Sequence, residues 1–286
     1  MVQMHLTLKD LYNRALEAYP SNIALIYKDQ RITYKQLNDQ ANKLANAFIH
    51  AGISVESPVA LLMPNCIEFV VADLAIIKSG AVKVPLNSML GEEEIFYMLE
   101  NSEAEAVIAD PRFYPILEKI KGKLPRLKYI IGIAEQVPKG FLSLNEFIKN
   151  AGEDVPQVEV SPKNRAAIPF SGGTTGKSKG IVQIQEAMVM SLYCHLIELE
   201  IAKTDKILIM SPLTHSAGRF VMTGLLRGAT HYIHDKFDPV AAIQTILEEE
   251  ITVTFMVPTM IYRVIDAIHE NQLNVNGHKL RMIGYA

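Results

Sequence analysis

The chain has 286 residues, 49% of them hydrophobic, with 28 lysines and arginines against 31 aspartates and glutamates and a formal net charge of −3. Such content builds an extensive core and excludes a disordered chain, and the near-balanced charge gives no basic field for nucleic acid or an anionic membrane. No apolar run approaches the roughly 20 residues of a membrane span, and no signal peptide is visible, so the expected compartment is the cytoplasm.

Taken in order, the chain alternates between helical and strand periodicity. Thr7 is a candidate N-cap for a helix carrying Leu8, Leu11, Tyr12, Ala15 and Leu16. Ile23 to Tyr27 and Arg31 to Tyr34 flank Lys28-Asp29-Gln30 as a hairpin. A helix with Leu37, Ala41, Leu44, Ala45 and Phe48 follows and closes at Gly52. Strand 58–63 ends at Pro64-Asn65, and a helix from Cys66 to Ser79 closes at Gly80. Cys66 and Cys194 are far apart, without metal-ligand spacing, and both fall in apolar helical patterns, so each reads as a buried reduced thiol. Gly91-Glu92-Glu93-Glu94 opens a helix whose dipole the carboxylates complement; successive helical residues point apart, so this is no metal cluster. Strands at 106–109 and 129–133 bracket a helix over 111–121 with Pro at its first position. Residues 152–163, with Pro156 and Pro162, form a linker-like stretch.

Ala166 to Phe170 reads as a buried strand that runs into Ser171-Gly172-Gly173-Thr174-Thr175-Gly176-Lys177-Ser178-Lys179-Gly180. Glycine costs roughly 0.5–1 kcal/mol in an element interior, so this run favours neither helix nor strand. It can wrap an anion instead, through close backbone N–H groups, two threonine hydroxyls and two lysines. A solvated linker is the plain alternative. A triphosphatase P-loop is the sharper one, but Ser171 stands where its first Gly belongs, and Lys179 to Ile184 continue as a strand where a helix is required.

Beyond that loop, helix 185–201 places Met188, Leu192, Leu196 and Leu199 toward a core, and strand 207–210 leads into Pro212-Leu213-Thr214-His215-Ser216-Ala217-Gly218. A His at such a strand end can line a ligand crevice; a histidine merely satisfied in a loop is the alternative. His215 and Ser216 do not make a hydrolase, since adjacent loop residues seldom meet and no Gly-x-Ser-x-Gly elbow exists in the chain. Helix to 226, strand 231–233, helix 239–250, strand 252–256, helix 259–271 and strand 280–283 complete the pattern. The alternation predicts an α/β protein with mainly parallel sheets covered by helices.

The loop at Ser171 to Gly180 resembles the phosphate-loop signature of the adenylate-forming superfamily, which includes acyl-CoA synthetases, luciferases and the adenylation domains of peptide synthetases. It departs at Ser178, where Pro is usual, and at Gly172, where Ser or Thr is usual. Lys78 to Asn87 resembles the family's Lys-Ala-Gly-Ala-x-x-x-Pro-Leu segment, Pro212 to Gly218 its Pro-Leu-x-His-x-x-Gly motif, and Ile283-Gly284-Tyr285-Ala286 the start of its adenine-side turn. The resemblance implies a layered αβαβα arrangement of two mainly parallel sheets. It implies ATP with Mg²⁺ and coenzyme A as partners, and activation of a carboxylic acid to an acyl-adenylate and then a thioester, with pyrophosphate and AMP released. The nucleotide's β- and γ-phosphates fall to Thr174, Thr175, Lys177 and the backbone of Gly173 and Gly176, with Ser171, Gly172 and Lys179 completing the loop. Lys177 and His215 are the candidate catalytic residues, His215 bordering the acid. No metal ligands are assigned, and Lys78 and Lys83 are read as packing. Residues 1–50 are expected to group with 185–286, and 51–184 to form the other part. The family's Tyr-Gly-x-Thr-Glu motif, ribose-binding Asp and C-terminal domain do not occur in the 286 residues, so the sequence reads as an N-terminal fragment, inactive alone. A fatty or other apolar acid is the expected substrate, with Phe220, Val221, Met222, Met256 and Val257 as candidate lining or ordinary core. An amino or aryl acid destined for a carrier protein and a non-catalytic nucleotide-binding fragment are the alternatives.

Overall fold

A computed structural model describes residues 6–171 and 178–285. In chain order its elements begin with α1 (Leu8–Ala18), β1 (Ile23–Tyr27), β2 (Gln30–Thr33), α2 (Tyr34–His50), β3 (Pro58–Leu62), α3 (Ile67–Ser79), β4 (Val82–Pro85) and α4 (Glu92–Asn101). Next come β5 (Ala106–Ala109), α5 (Tyr114–Ile120), β6 (Tyr129–Gly132), β7 (Leu142–Ser143), α6 (Leu144–Ile148), β8 (Arg165–Ala167), β9 (Phe170–Ser171), β10 (Lys179–Gly180) and β11 (Gln183–Ile184). The rest are α7 (Gln185–Leu199), β12 (Lys206–Ile209), α8 (Ser216–Arg227), β13 (Thr230–Ile233), α9 (Pro239–Glu248), β14 (Val253–Met256), α10 (Pro258–Glu270) and β15 (Met282–Tyr285). The chain is therefore α/β, and its two large sheets are mainly parallel.

Local signals explain much of this. Thr7 and Asp10 form a reciprocal cap on α1: the Thr7 hydroxyl donates to Asp10 Oδ2 at 2.7 Å and accepts from the Asp10 amide at 3.3 Å. Gly52 and Gly80 end α2 and α3 at φ +75° and +73°, in the left-handed region where a Cβ is strained. All five residues of β3 are buried, as expected of a strand covered on both faces.

The chain divides into two compact units. The first comprises Met1–Arg14, Asn38–Met63 and Glu68–Ser191. Its sheet has the order β11-β8-β4-β3-β5-β6-β7, and its core gathers Val82, Val84, Ile95, Leu99, Val107 and Leu117. The linker-like stretch carries no helix or strand between 150 and 164, yet it is pinned. Asn42 donates to Glu153 O, and Asn46 to Gly152 O and Asp154 O. Lys78 is fully buried, its ammonium donating to Asn13 Oδ1 and to Asn38 Oδ1 at 2.8 Å. Lys83 pairs with buried Asp73 at 2.8 Å.

The second unit comprises Ala15–Leu37, Pro64–Ile67 and Leu192–Ala286, with sheet order β15-β14-β12-β13-β1-β2. Its strands are joined at one end by Asp205, whose buried carboxylate accepts from Arg281, from Thr252 Oγ1 at 2.7 Å and from Ala202 N at 2.8 Å.

His231 on β13 is wholly buried, and its Nδ1 lies 2.9 Å from Ala24 O. A carbonyl only accepts, so Nδ1 carries the proton in the neutral ring. Nε2 has no partner among the described residues and abuts Gly224, where a Cβ would come within 2.2 Å of it. Burial pulls the imidazole down from 6.5 to about 4, against the opposing Ala24 hydrogen bond. A pKa depressed on folding means that the unfolded chain binds the extra proton. Stability is then fully present above about pH 6.5 and lost as pH falls toward about 4, by up to about 3 kcal/mol. Urea midpoints measured from pH 7.5 to 4.5 are expected to fall accordingly, and His231→Gln to flatten that part of the curve; parallel curves for the two proteins would contradict the assignment.

Three expectations are corrected. Cys194 is exposed and Cys66 alone is buried. The strand before the glycine-rich loop breaks at Ile168-Pro169, because proline has no N–H for the ladder. The final strand runs over 282–285, two residues beyond its predicted place, because Arg281 is drawn to Asp205 at the strand's start.

Candidate functional site

The glycine-rich loop springs from the first unit. Past the break at Pro169, β9 and β10 pair in antiparallel fashion, with Ser171 opposite Lys179 and Phe170 opposite Gly180. Gly172, Gly173, Thr174, Thr175, Gly176 and Lys177, the heart of the predicted phosphate loop, lie outside the described residues. What is described is the pair of strands that flank them in sequence. Ile168 donates its amide to Lys83 O, and Pro169 O accepts from Ile181 N, both at 2.8 Å. Phe170 packs on the core edge-to-face with Tyr97. Gly180 is needed for closeness, since a Cβ there would lie 2.9 Å from the Ile168 side chain. Ser171 is half-buried, and the Lys179 side chain is exposed.

The second segment belongs to the other unit. From β12 the chain passes through Ser211-Pro212-Leu213-Thr214 to His215, which occupies the N-cap position of α8 in extended conformation (φ −119°, ψ −153°). Its imidazole is exposed and makes no capping bond to the helix. Gly218 permits this turn: a Cβ there would sit 2.2 Å from Leu213 O, against backbone that cannot swing away. Thr214 Oγ1 is buried and has no hydrogen-bond partner among the described residues.

Asn65 holds the loop. Its carboxamide is buried, with Oδ1 accepting from Leu213 N at 2.8 Å and Nδ2 donating to Ser211 O at 2.9 Å and to His234 O at 3.1 Å. Sequence reading treated Pro64-Asn65 only as the end of a strand. The one available signal was an amide side chain in an otherwise apolar stretch.

Of the candidate acid-lining residues, Phe220, Val221, Met222 and Met256 are buried and Val257 is half-buried. Phe220 stacks against Phe255 with centroids 5.2 Å apart, and Gly284 closes on its ring. Met256 belongs to the second unit's hydrophobic core, and Val257 packs against it. A groove of about 360 Å³ does open beside β1 and β13, lined by Lys28, Arg31, His234, Asp235 and Lys236 among others, but by none of the predicted site residues.

Comparison with known proteins bears on what these two segments serve. A family model described as AMP-binding enzyme matches residues 12–286. The long-chain-fatty-acid–CoA ligase FadD13 of Mycobacterium tuberculosis (strain ATCC 25618 / H37Rv) is 30% identical over 241 residues, covering 82% of this chain and 46% of that protein. Tyrocidine synthase 3 of Brevibacillus parabrevis is 26% identical over 272 residues, 94% of this chain and 4% of that protein. Among solved structures, the N-terminal domain of FACL13 from Mycobacterium tuberculosis superposes with a TM-score of 0.89 at 26% identity, covering 99% of this chain and 70% of that one. The chain spans about half the length of the acid–CoA ligases it matches.

Proposed function

This chain belongs to the AMP-binding enzyme family, and on that premise we propose that it serves the ATP-dependent activation of an apolar carboxylic acid to an acyl-adenylate and then a CoA thioester. The observation that carries the reading is the glycine-rich loop on its clamped β9–β10 base, within a chain matched by the family model over nearly its whole length. In the first step the carboxylate attacks the α-phosphorus and pyrophosphate leaves; in the second a thiol displaces AMP. The obstacle is an anion approaching a polyanion, met by neutralising and positioning the phosphates. Thr174, Thr175, Lys177 and the amides of Gly173 and Gly176 are assigned that task, with Ser171, Gly172 and Lys179 flanking them. His215 is assigned to the border of the acid.

Among the described residues no group of three or more His, Cys, Asp or Glu is placed to hold a metal ion. Mg²⁺ is implied by the triphosphate, and no step is assigned to it. None of the described helices is long and apolar enough to cross a membrane.

ATP–pyrophosphate exchange by the full gene product, run over a panel of fatty, aryl and amino acids, tests the proposal. The expected result is stimulation by at least one apolar acid, followed by thioester formation with CoA. Likeness to tyrocidine synthase 3 favours a second reading, an amino acid loaded onto a carrier, but no Asp lies between Ser211 and Leu225 to meet an amino group. Exchange with amino acids alone would select that reading. ATP binding without any exchange would leave a nucleotide-binding protein.

A further inference from the structure

We propose that Asn65 is the positioning residue of the His215 loop: its carboxamide sets the path of the backbone from Ser211 to Leu213 and hence where His215 stands. The inference rests on the assignment of His215 to the acid site.

Three features carry it. First, the bonds are complete. Both Nδ2 hydrogens and Oδ1 are used, all on backbone groups, so the planar amide fixes three points at once. Second, two of those points lie just past the carboxyl ends of neighbouring parallel strands, Ser211 after β12 and His234 after β13, with His234 N also bonded to Ile209 O at 2.9 Å. In open α/β sheets that is the edge where ligands bind. Third, further ties of the loop are local or lie at its start: His215 N donates to Pro212 O at 3.1 Å, and Ser211 Oγ donates to Met260 Sδ at 3.3 Å. The Leu213 amide is buried and is served by Asn65, while His215 is exposed two residues later. A loop with Gly218 pressed on Leu213 O has only a narrow range of paths, and Asn65 selects among them.

The chemistry dictates the variants. Asn65→Asp keeps the shape and the acceptor but turns two donated bonds into oxygen-against-oxygen contacts. Asn65→Ala removes all three bonds. Asn42→Ala is the control, since buried Asn42 likewise donates to backbone, at Glu153 O, remote in sequence from this loop.

The test has two arms on the full gene product, labelled with ¹⁵N-leucine and ¹³C-histidine. In the first, either Asn65 variant is expected to speed exchange of the Leu213 amide with solvent or to shift the His215 ring resonances, with Asn65→Ala raising the exchange rate at least ten-fold and Asn42→Ala changing neither. Unmoved Leu213 and His215 signals in the variants overturn the proposal, whether or not any acid is activated. In the second, Asn65→Asp is expected to raise KM for the acid at least ten-fold while KM for ATP stays within two-fold. A fall in the active fraction with both KM values unchanged overturns it, because that is what a residue serving stability alone would give. Where Asn65→Ala does not fold, Asn65→Asp decides. Absence of exchange in the wild-type protein removes the proposed reaction, and the first arm still decides for Asn65.

Discussion

Replacing Lys177 by alanine in the full gene product is expected to lower acid-dependent pyrophosphate exchange by about 10²–10³-fold, the range for losing one preorganised donor at developing charge. Lys177 is one of two lysines in a loop otherwise made of glycines and hydroxyl side chains, and Lys179 already sits in the paired strand β10. Lys177 is the lysine that the proposed function assigns to the phosphates. An arginine substitution keeps the charge but replaces a compact ammonium with a planar fork, and it is expected to recover only part of the loss. Exchange within two-fold of wild type for Lys177→Ala, in protein with an unchanged melting curve, would remove the loop from the reaction.

The second large effect is on stability. Asp205→Ala is expected to cost about 3 kcal/mol, the lower part of the range for removing one partner of a buried ion pair, because the Arg281 side chain is 40% exposed and water screens part of the attraction. The variant would take an acceptor from Arg281, Thr252 Oγ1 and Ala202 N, which lie at the starts of three strands or on the turn before them. Burial opposes the charge on Asp205, but hydrogen bonds from Arg281, Ala202 and Thr252 prevail and hold its carboxyl below the ordinary 3.8. A depressed pKa means that this contribution is present above about pH 3.8 and disappears as pH falls through the folded value. Urea unfolding at neutral pH decides the matter, and a loss under 1 kcal/mol would show that Asp205 matters little.

How much of this was legible in the sequence depends on how far apart the interacting residues lie. Thr7 caps α1 through a residue three positions away, and Gly52 and Gly80 end their helices by their own φ angles. Signals of that kind are local and read well. Cys194 misled because α7 is apolar around much of its circumference: Met190 and Ile197 are exposed although Val189 and Leu192 are buried. A stripe cannot be chosen when both faces look alike. The start of β15 depends on Arg281 finding Asp205, 76 positions away. Asn65 acts on residues 146 and 169 positions away, so nothing near it announces its role. The phosphate loop was the reverse case, carried wholly by ten consecutive residues.

The burial of Lys78 has a practical consequence. Amine-reactive acylating reagents modify lysines that meet solvent, and an ammonium enclosed with Asn13 and Asn38 as its acceptors is shielded until the surrounding structure parts. The rate at which Lys78 acquires a label, compared with exposed Lys179 in the same tryptic digest, therefore clocks the opening of its unit against a standard carried on the same molecule. Covalent footprinting can thus follow that motion under working conditions without any engineered probe.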